Sequence, residues 1–546
     1  MTGYNLRRPM EIRRSDSVRH KVLGRRSFLA GALLLAAGTV TACRSGGGTA
    51  PSGASDALRL ALSTDLPTLD PGTVYQYGGN QVMTALYEGL LSYSPESTGA
   101  IVPMLADKYT VSPDGLTYTF NLRTDVKFDS GRTMTAADVV ASFERLAEPK
   151  VKSQMSYMVS GVKRYETPDD HTFVVRLNAP SSSFLSLVAS PFGPKILDSK
   201  ILEQNKADNA LGYLTKHSAG TGPYVLKSFT KGQVYDLTRR DGYWGGAPFF
   251  ADVKISVIGD PATQILQLEG GDLDLVTGQP VATLDQLGKQ KGYKIVEYPT
   301  LQKAQLHIKT STGPLSSAPL RKALRSAIDR DALVKQIFGD HAAVSTQMYP
   351  LMAVPDGLAS DGWVTDTSEL AALAKGKTIT LGYYAGRARD TQTVEALQAR
   401  WASAGATVEL VPVQTNDVYG LSSNLASAPD MMYEEGFPDS VHPDTWARLF
   451  WYSNTSHGNG ALNYLVGGTP EADAAIDAGA RATDQGQIDA DYGKAGDLVH
   501  EQVGYITLAD LKDSFLMRSD LTGGGHWLPC PVTLDLRTLK RVLGGS

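Results

Sequence analysis

The chain has 546 residues with 52 Lys/Arg against 57 Asp/Glu, and only two cysteines, Cys43 and Cys530. Residues 1–42 carry 8 of the basic and 2 of the acidic side chains, so the remainder holds 44 against 55, a net charge of −11. An acidic body of this kind lacks the basic face needed to neutralise phosphates, which argues against a nucleic-acid partner. Two cysteines give no disulfide framework, and a chain this long has to rely on a large apolar core divided between at least two bodies.

The first readable segment is GRRSFLAGALLLAAGTVTAC, Gly24 to Cys43. Its apolar run, Phe28 to Ala42, is 15 residues long, short of the roughly 20 needed to cross a bilayer. A basic flank, a Leu/Ala core and small residues at the end mark an export signal instead. The ending Val40-Thr41-Ala42-Cys43 resembles a bacterial lipobox, which implies lipid on Cys43. Arg25-Arg26-Ser27-Phe28-Leu29 resembles a twin-arginine export signal, with Gly24 and Ala30 departing from that pattern. The next 14 residues, RSGGGTAPSGASDA, have too few apolar side chains to fold and are expected to tether the body outside the membrane.

Strands and helices alternate beyond the tether. LTYTFNLR, Leu116 to Arg123, alternates apolar with polar residues, the signature of a half-buried strand. In TAADVVASFERL, Thr135 and Asp138 form a capping-box pattern, and Val139, Phe143 and Leu146 repeat at helical spacing. Asp260 and Pro261 open a helix that Gly270 or Gly271 stops before a strand. Leu320 to Gly339 reads as two helices broken near Asp329, the second closed by Gly339. AALAKGKT, Ala371 to Thr378, has Ala371 where a phosphate-binding loop requires glycine, so Gly376-Lys377 is read as a turn into the strand TITLGYY. No repeat of 20–50 residues is evident. A mixed α/β body is expected.

Catalytic signatures are missing from the sequence: it has no G-x-S-x-G elbow, no H-E-x-x-H pair and no C-x-x-C. The nine histidines form no i, i+4 pair, so neither a catalytic residue set nor a metal or cofactor is expected.

An ordered series of phrases carries a family resemblance: TLDPG (Thr68–Gly72), ALYEGLL, the stretch from Ile101 to Leu146, GTGPYVL (Gly220–Leu226), DGYWGG, LEGGDLDLV and LRKALRSAIDRDALV. Together they resemble the extracytoplasmic solute-binding protein family 5, the peptide, dipeptide and nickel receptors of ABC importers, from about Leu58 to Gly523. The resemblance implies a two-lobed, periplasmic-binding-protein-like clamshell with an extra subdomain on the first lobe. Lobe I would comprise about 58–90, 218–299 and 507–546, the subdomain 91–217, and lobe II 300–506. It also implies a monomeric receptor that delivers a peptide or other small solute to permease subunits served by a separate ATPase, anchored through Cys43 to the outer face of the membrane.

For the site, the resemblance points to two stretches. In DPGTVYQYGGN, Tyr75 and Tyr77 match positions that contact ligand backbone in peptide binders. In YEEGFPDSVHP, Gly436, Phe437, Asp439 and Pro443 match a ligand-facing outline, with Phe437 replacing Trp and Ser440 replacing Tyr. Glu434 stands where some relatives carry an arginine for a peptide carboxylate, which argues against a standard tripeptide mode. An enclosed Asp439 calls for a cation such as a peptide α-ammonium, with Phe437 as an apolar wall. A solvated turn with Asp439 satisfying nearby backbone amides is the alternative. At the level of function, the alternatives are a sensor lipoprotein of the same fold and, with no nucleophile to support it, a secreted hydrolase.

Overall fold

The computed structural model describes residues 57–96, 98–453, 460 and 462–542. The export signal, Cys43 and most of the tether therefore lie outside the described residues. Among those that are described, no helix is long and apolar enough to cross a membrane.

Two long antiparallel strands, Tyr293–Ile308 and Tyr505–Arg518, form the spine of an 11-stranded sheet. On one side of them lie Leu275–Thr277, Ala57–Leu62, Asp252–Val257, Val234–Arg239 and Tyr224–Thr230. On the other lie Met431–Gly436, Thr378–Tyr384 and Thr407–Val413, while Ala342–Val344 pairs with Tyr505–Arg518 off this path. Parallel pairing occurs in each half, for example Ala57–Leu62 with Asp252–Val257 and Thr378–Tyr384 with Thr407–Val413. Parallel neighbours need crossover connections, and helices supply many of them.

The spine slips register between Pro299 and Lys303 and again between Ala304 and Gln305. Thr300 bridges the first slip, its Oγ1 donating to Leu511 O at 2.7 Å and accepting from Gln302 N at 3.0 Å. Such bulges bend a strand and increase its twist. The two halves of the sheet thus meet at a bent two-strand crossing.

A separate four-stranded antiparallel sheet, Ala106–Val111, Thr117–Leu122, Thr172–Leu177 and Val162–Asp169, builds the inserted region. Helix Ala136–Ala147 covers it, with Val139, Phe143 and Leu146 all buried and the Phe143 ring 5.2 Å from Phe173. Asp138 accepts the Thr135 backbone N–H at 2.8 Å, closing the capping box expected from the sequence. Asp260 caps helix Pro261–Gly270 by accepting Thr263 N at 2.8 Å, and Gly271 ends it at φ +82°. Helices Ala318–Ser326 and Arg330–Phe338 are divided at Asp329, which caps the second, and Gly339 closes it. Gly376 turns at φ +69° into strand Thr378–Tyr384, as the turn reading required.

Candidate functional site: a buried carboxylate where three segments meet

Strand Met431–Gly436 ends at Gly436, and the chain runs through Phe437 and Asp439 into helix Pro443–Phe450. Pro443 suits the first helical position because no intrahelical partner awaits its missing N–H. This connection presses against the inserted region and the 57–80 stretch. Asp439 is only 2% exposed. Tyr75 donates its hydroxyl to both carboxylate oxygens, at 2.8 and 2.7 Å, and the Tyr157 hydroxyl donates to Oδ2. Ser190 Oγ donates to the Asp439 backbone carbonyl at 2.5 Å. Segments some 280 and 364 positions away in sequence thus converge on one carboxylate.

The chemistry follows from burial. Removing a carboxylate from water disfavours its charged form, and desolvation pushes the Asp439 pKa up to about 6 even though the two tyrosine hydroxyls pull it down. The same burial, followed by the neighbouring Asp439 charge, raises Tyr75 and Tyr157 well above the ordinary tyrosine value. Both therefore stay protonated and act as donors. Asp439 is held by neutral hydroxyls rather than by the backbone amides of a solvated turn.

Aromatic rings wall this carboxylate. Phe437 stacks on Phe192 with centroids 6.2 Å apart, and Tyr75 meets Phe192 edge-on at 5.2 Å. Further contacts join the same two faces. Val441 N donates to Tyr93 Oη at 3.0 Å, and Ser183 Oγ donates to Asp444 Oδ2 at 3.0 Å.

Three acids, Glu434, Glu435 and Asp439, sit close in sequence yet face different surroundings. Successive strand residues point to opposite faces. Glu435 turns to Arg389, which donates Nε at 2.7 Å and a second bond through Nη2. Glu434 turns inward beside His307, whose Nε2 lies 2.9 Å from Oε2, while Tyr464 and Tyr384 donate hydroxyls to Oε1 at 3.0 and 3.4 Å. Glu434 is thus separate from the Asp439 carboxylate. Between them in sequence, Gly436 is closely packed: a Cβ there would stand 2.8 Å from the Phe450 ring and 3.4 Å from Glu434 Cδ. Tyr77 falls in the short turn Tyr77–Gly79, and its side chain lies outside what the structure describes.

Sequence reasoning missed Tyr157, Phe192, Gln305 and His307. Tyr157 sits in the short turn Ser156–Val159, too brief to show any periodicity. A signal did exist for Gln305 and His307: Lys303, Gln305, His307 and Lys309 alternate along and just past the end of strand Tyr293–Ile308, a polar stripe in which all four side chains are buried.

Comparison with known proteins gives the family and the fold. Residues 100–458 match the sequence profile described as bacterial extracellular solute-binding proteins, family 5. The probable D,D-dipeptide-binding periplasmic protein DdpA of Escherichia coli K12 is 32% identical over 285 residues, which is 52% of this chain and 55% of that protein. The glutathione-binding protein GsiB of Salmonella paratyphi A is 24% identical over 484 residues, 87% of this chain and 92% of its own length. In fold, the chain resembles the periplasmic binding protein DppA of Helicobacter pylori, solved with the peptide STSA, at TM-score 0.75 and 23% identity over 89% of this chain and 98% of that one. The mixed sheet, its two halves joined at a bent crossing, is accordingly the two-lobed architecture of periplasmic binding proteins. The profile covers well over half of the sequence, and the chain belongs to the bacterial extracellular solute-binding proteins of family 5.

Proposed function

We propose that this protein is the substrate-binding receptor of an ABC importer, capturing a peptide or similar amine-bearing solute between its lobes and handing it to permease subunits. The lobes are assigned as 58–90, 218–299 and 507–546 for the first, 91–217 for its subdomain and 300–506 for the second. One observation carries the reading: Asp439, on the second lobe, is buried against Tyr75 and Tyr157 of the first with only hydroxyl donors on its carboxylate. A buried carboxylate gains most from a cation that brings its own hydrogen bonds, as an ammonium does. Tyr75 and Tyr157 would then orient the ligand end, and Phe437 with Phe192 would exclude water.

The protein binds and releases without catalysis, acts as a monomer, and leaves ATP hydrolysis to a separate subunit. Lipid on Cys43 holds it at the outer face of the membrane, a reading supported by the lipobox-like ending and the polar tether. Cys43→Ser should therefore release the exported protein into the aqueous fraction. A variant that stays with the membrane contradicts the anchor.

Calorimetry with paired peptides tests the receptor. Short peptides with a free amino terminus should bind and be recovered intact, while their N-acetylated forms bind at least about 30-fold more weakly. Equal affinities for the two forms overturn the role of Asp439.

A further inference from the structure

Several buried carboxylates in this protein meet arginine or lysine, Asp70 with Arg145, Asp274 with Arg59 and Arg541, Asp430 with Lys309 and Asp510 with Lys303, while Glu88 meets Tyr243, Trp244 and Thr221 and Asp513 meets His526. Glu434 is 6% exposed and meets tyrosine hydroxyls and one imidazole. His307 Nε2 stands 2.9 Å from Glu434 Oε2, and that oxygen accepts no hydrogen bond. Gln305 Oε1 and His307 Nδ1 are likewise buried and unpartnered. Leaving such groups buried and unsatisfied is costly, so a nest of them calls for a guest.

The three side chains lie together. Gln305 and Glu434 are directly opposite in the antiparallel register of their strands, so they share one face with side chains within reach of a single group. His307, two positions on, shares that face and lies 3.4 Å from Gln305 Nε2. Aromatic rings enclose the nest: Tyr464 stacks on His307 at 5.2 Å, and Tyr505 meets it edge-on at 4.9 Å.

Along the chain the nest and the Asp439 site are linked through Gly436, two residues after Glu434 and three before Asp439. Tyr419, 58% exposed, packs its ring 6.0 Å from Tyr464. Both Glu434 and burial raise the Tyr419 pKa, and Tyr419 in turn contributes to the raised pKa of Tyr75.

We infer that Gln305, His307 and Glu434 form a second subsite that takes a basic side chain of the ligand, so that the preferred substrates are peptides or amine solutes carrying a second cationic group besides the one at Asp439. This rests on the receptor reading above. An ammonium or guanidinium satisfies both free acceptors, Glu434 Oε2 and Gln305 Oε1, and supplies the countercharge that Glu434 lacks from arginine or lysine. A neutral side chain of equal length would leave both acceptors buried and unpaired. Preference for the cation follows from that penalty as much as from attraction.

The test uses di- and tripeptides with lysine at each position in turn, each paired with the same peptide carrying norleucine, titrated calorimetrically into the exported protein. At least one lysine peptide should bind about 30-fold or more tightly than its norleucine partner. Glu434→Gln should bring the two to similar affinity, and Gln305→Leu should reduce the ratio by roughly 2- to 12-fold. Asp439→Asn should weaken both members while leaving their ratio in place. The ratio is insensitive to a general loss of stability, so a merely weakened fold does not imitate the result. Equal binding of lysine and norleucine peptides by the unaltered protein, or a preference that survives Glu434→Gln, overturns the second subsite and leaves the Asp439 reading standing. Binding of no peptide in the panel overturns both.

Discussion

Asp439 couples burial, charge and ligand choice in one side chain. Its pKa, raised to about 6 from the ordinary 3.8, means that the folded protein retains a proton that an exposed aspartate would release. Without a cation, stability should therefore rise as pH falls through 6, and the gain should level off near the ordinary value. Binding of an amine should run the other way, weakening below pH 6 because the ligand needs the charged carboxylate. Melting temperatures and calorimetric affinities measured between pH 4 and 8 should show these opposite slopes. In Asp439→Asn both slopes should flatten, with affinity for a free-amino peptide lower by about 30-fold or more at pH 7. Parallel slopes for melting and affinity would place the titration on another group.

At the level of elements, the crossing strands carry a buried ion pair at their bulge. Lys303, fully buried, donates to Asp510 Oδ1 at 2.5 Å, to Ser345 Oγ at 2.6 Å and to Tyr349 O at 3.1 Å. Burial lowers the Lys303 pKa, and the nearby Asp510 opposes that shift. Removing one partner strands the other, so Lys303→Met should cost about 3–5 kcal/mol in urea denaturation. The double variant Lys303→Met, Asp510→Leu should recover most of that loss, because it leaves no uncompensated charge. A double variant as unstable as the single one would show that packing, not charge, dominates there.

Much of this element structure was readable beforehand, because caps and periodicity are local. Thr135, Asp260 and Asp329 mark helix starts by hydrogen bonds within three residues, and Gly271 and Gly339 mark stops through backbone geometry available in the sequence itself. The site was half readable. Tyr75, Phe437 and Asp439 could be placed by resemblance, yet Tyr157 reaches Asp439 from a short turn 282 residues away, a contact that only the tertiary fold creates. Glu434, Glu435 and Asp439 stand close together in sequence. Strand pleating separates them, sending Glu435 to Arg389 and Glu434 to His307.

On the scale of the whole molecule, a few polar contacts hold the segment 439–480 against the segment 75–190. They include Tyr75 and Tyr157 on Asp439, Ser190 on its carbonyl, Tyr93 on Val441, Ser183 on Asp444 and Ser182 N on Ala480 O at 2.9 Å. Each is worth only about 0.5–1.5 kcal/mol net, against the freedom lost when two lobes lock together. Such a balance is easily tipped by a ligand that touches both lobes, and the register slips between Pro299 and Gln305 give the crossing strands a place to bend. Saturating ligand should then compact the protein in small-angle scattering and stabilise it by about 2.7 kcal/mol at 100-fold excess over Kd. Ser183→Ala separates closure from ligand contact, because Ser183 bonds Asp444, five positions beyond Asp439, and its loss removes a latch without altering either carboxylate subsite. The variant should populate the closed form less, lowering affinity for a bound peptide by roughly 2- to 12-fold while the scattering profile at saturation stays that of the unaltered protein. An affinity unchanged by Ser183→Ala, together with no compaction on binding, would mean that ligand enters a cleft already fixed in shape and that the bent crossing is not a hinge.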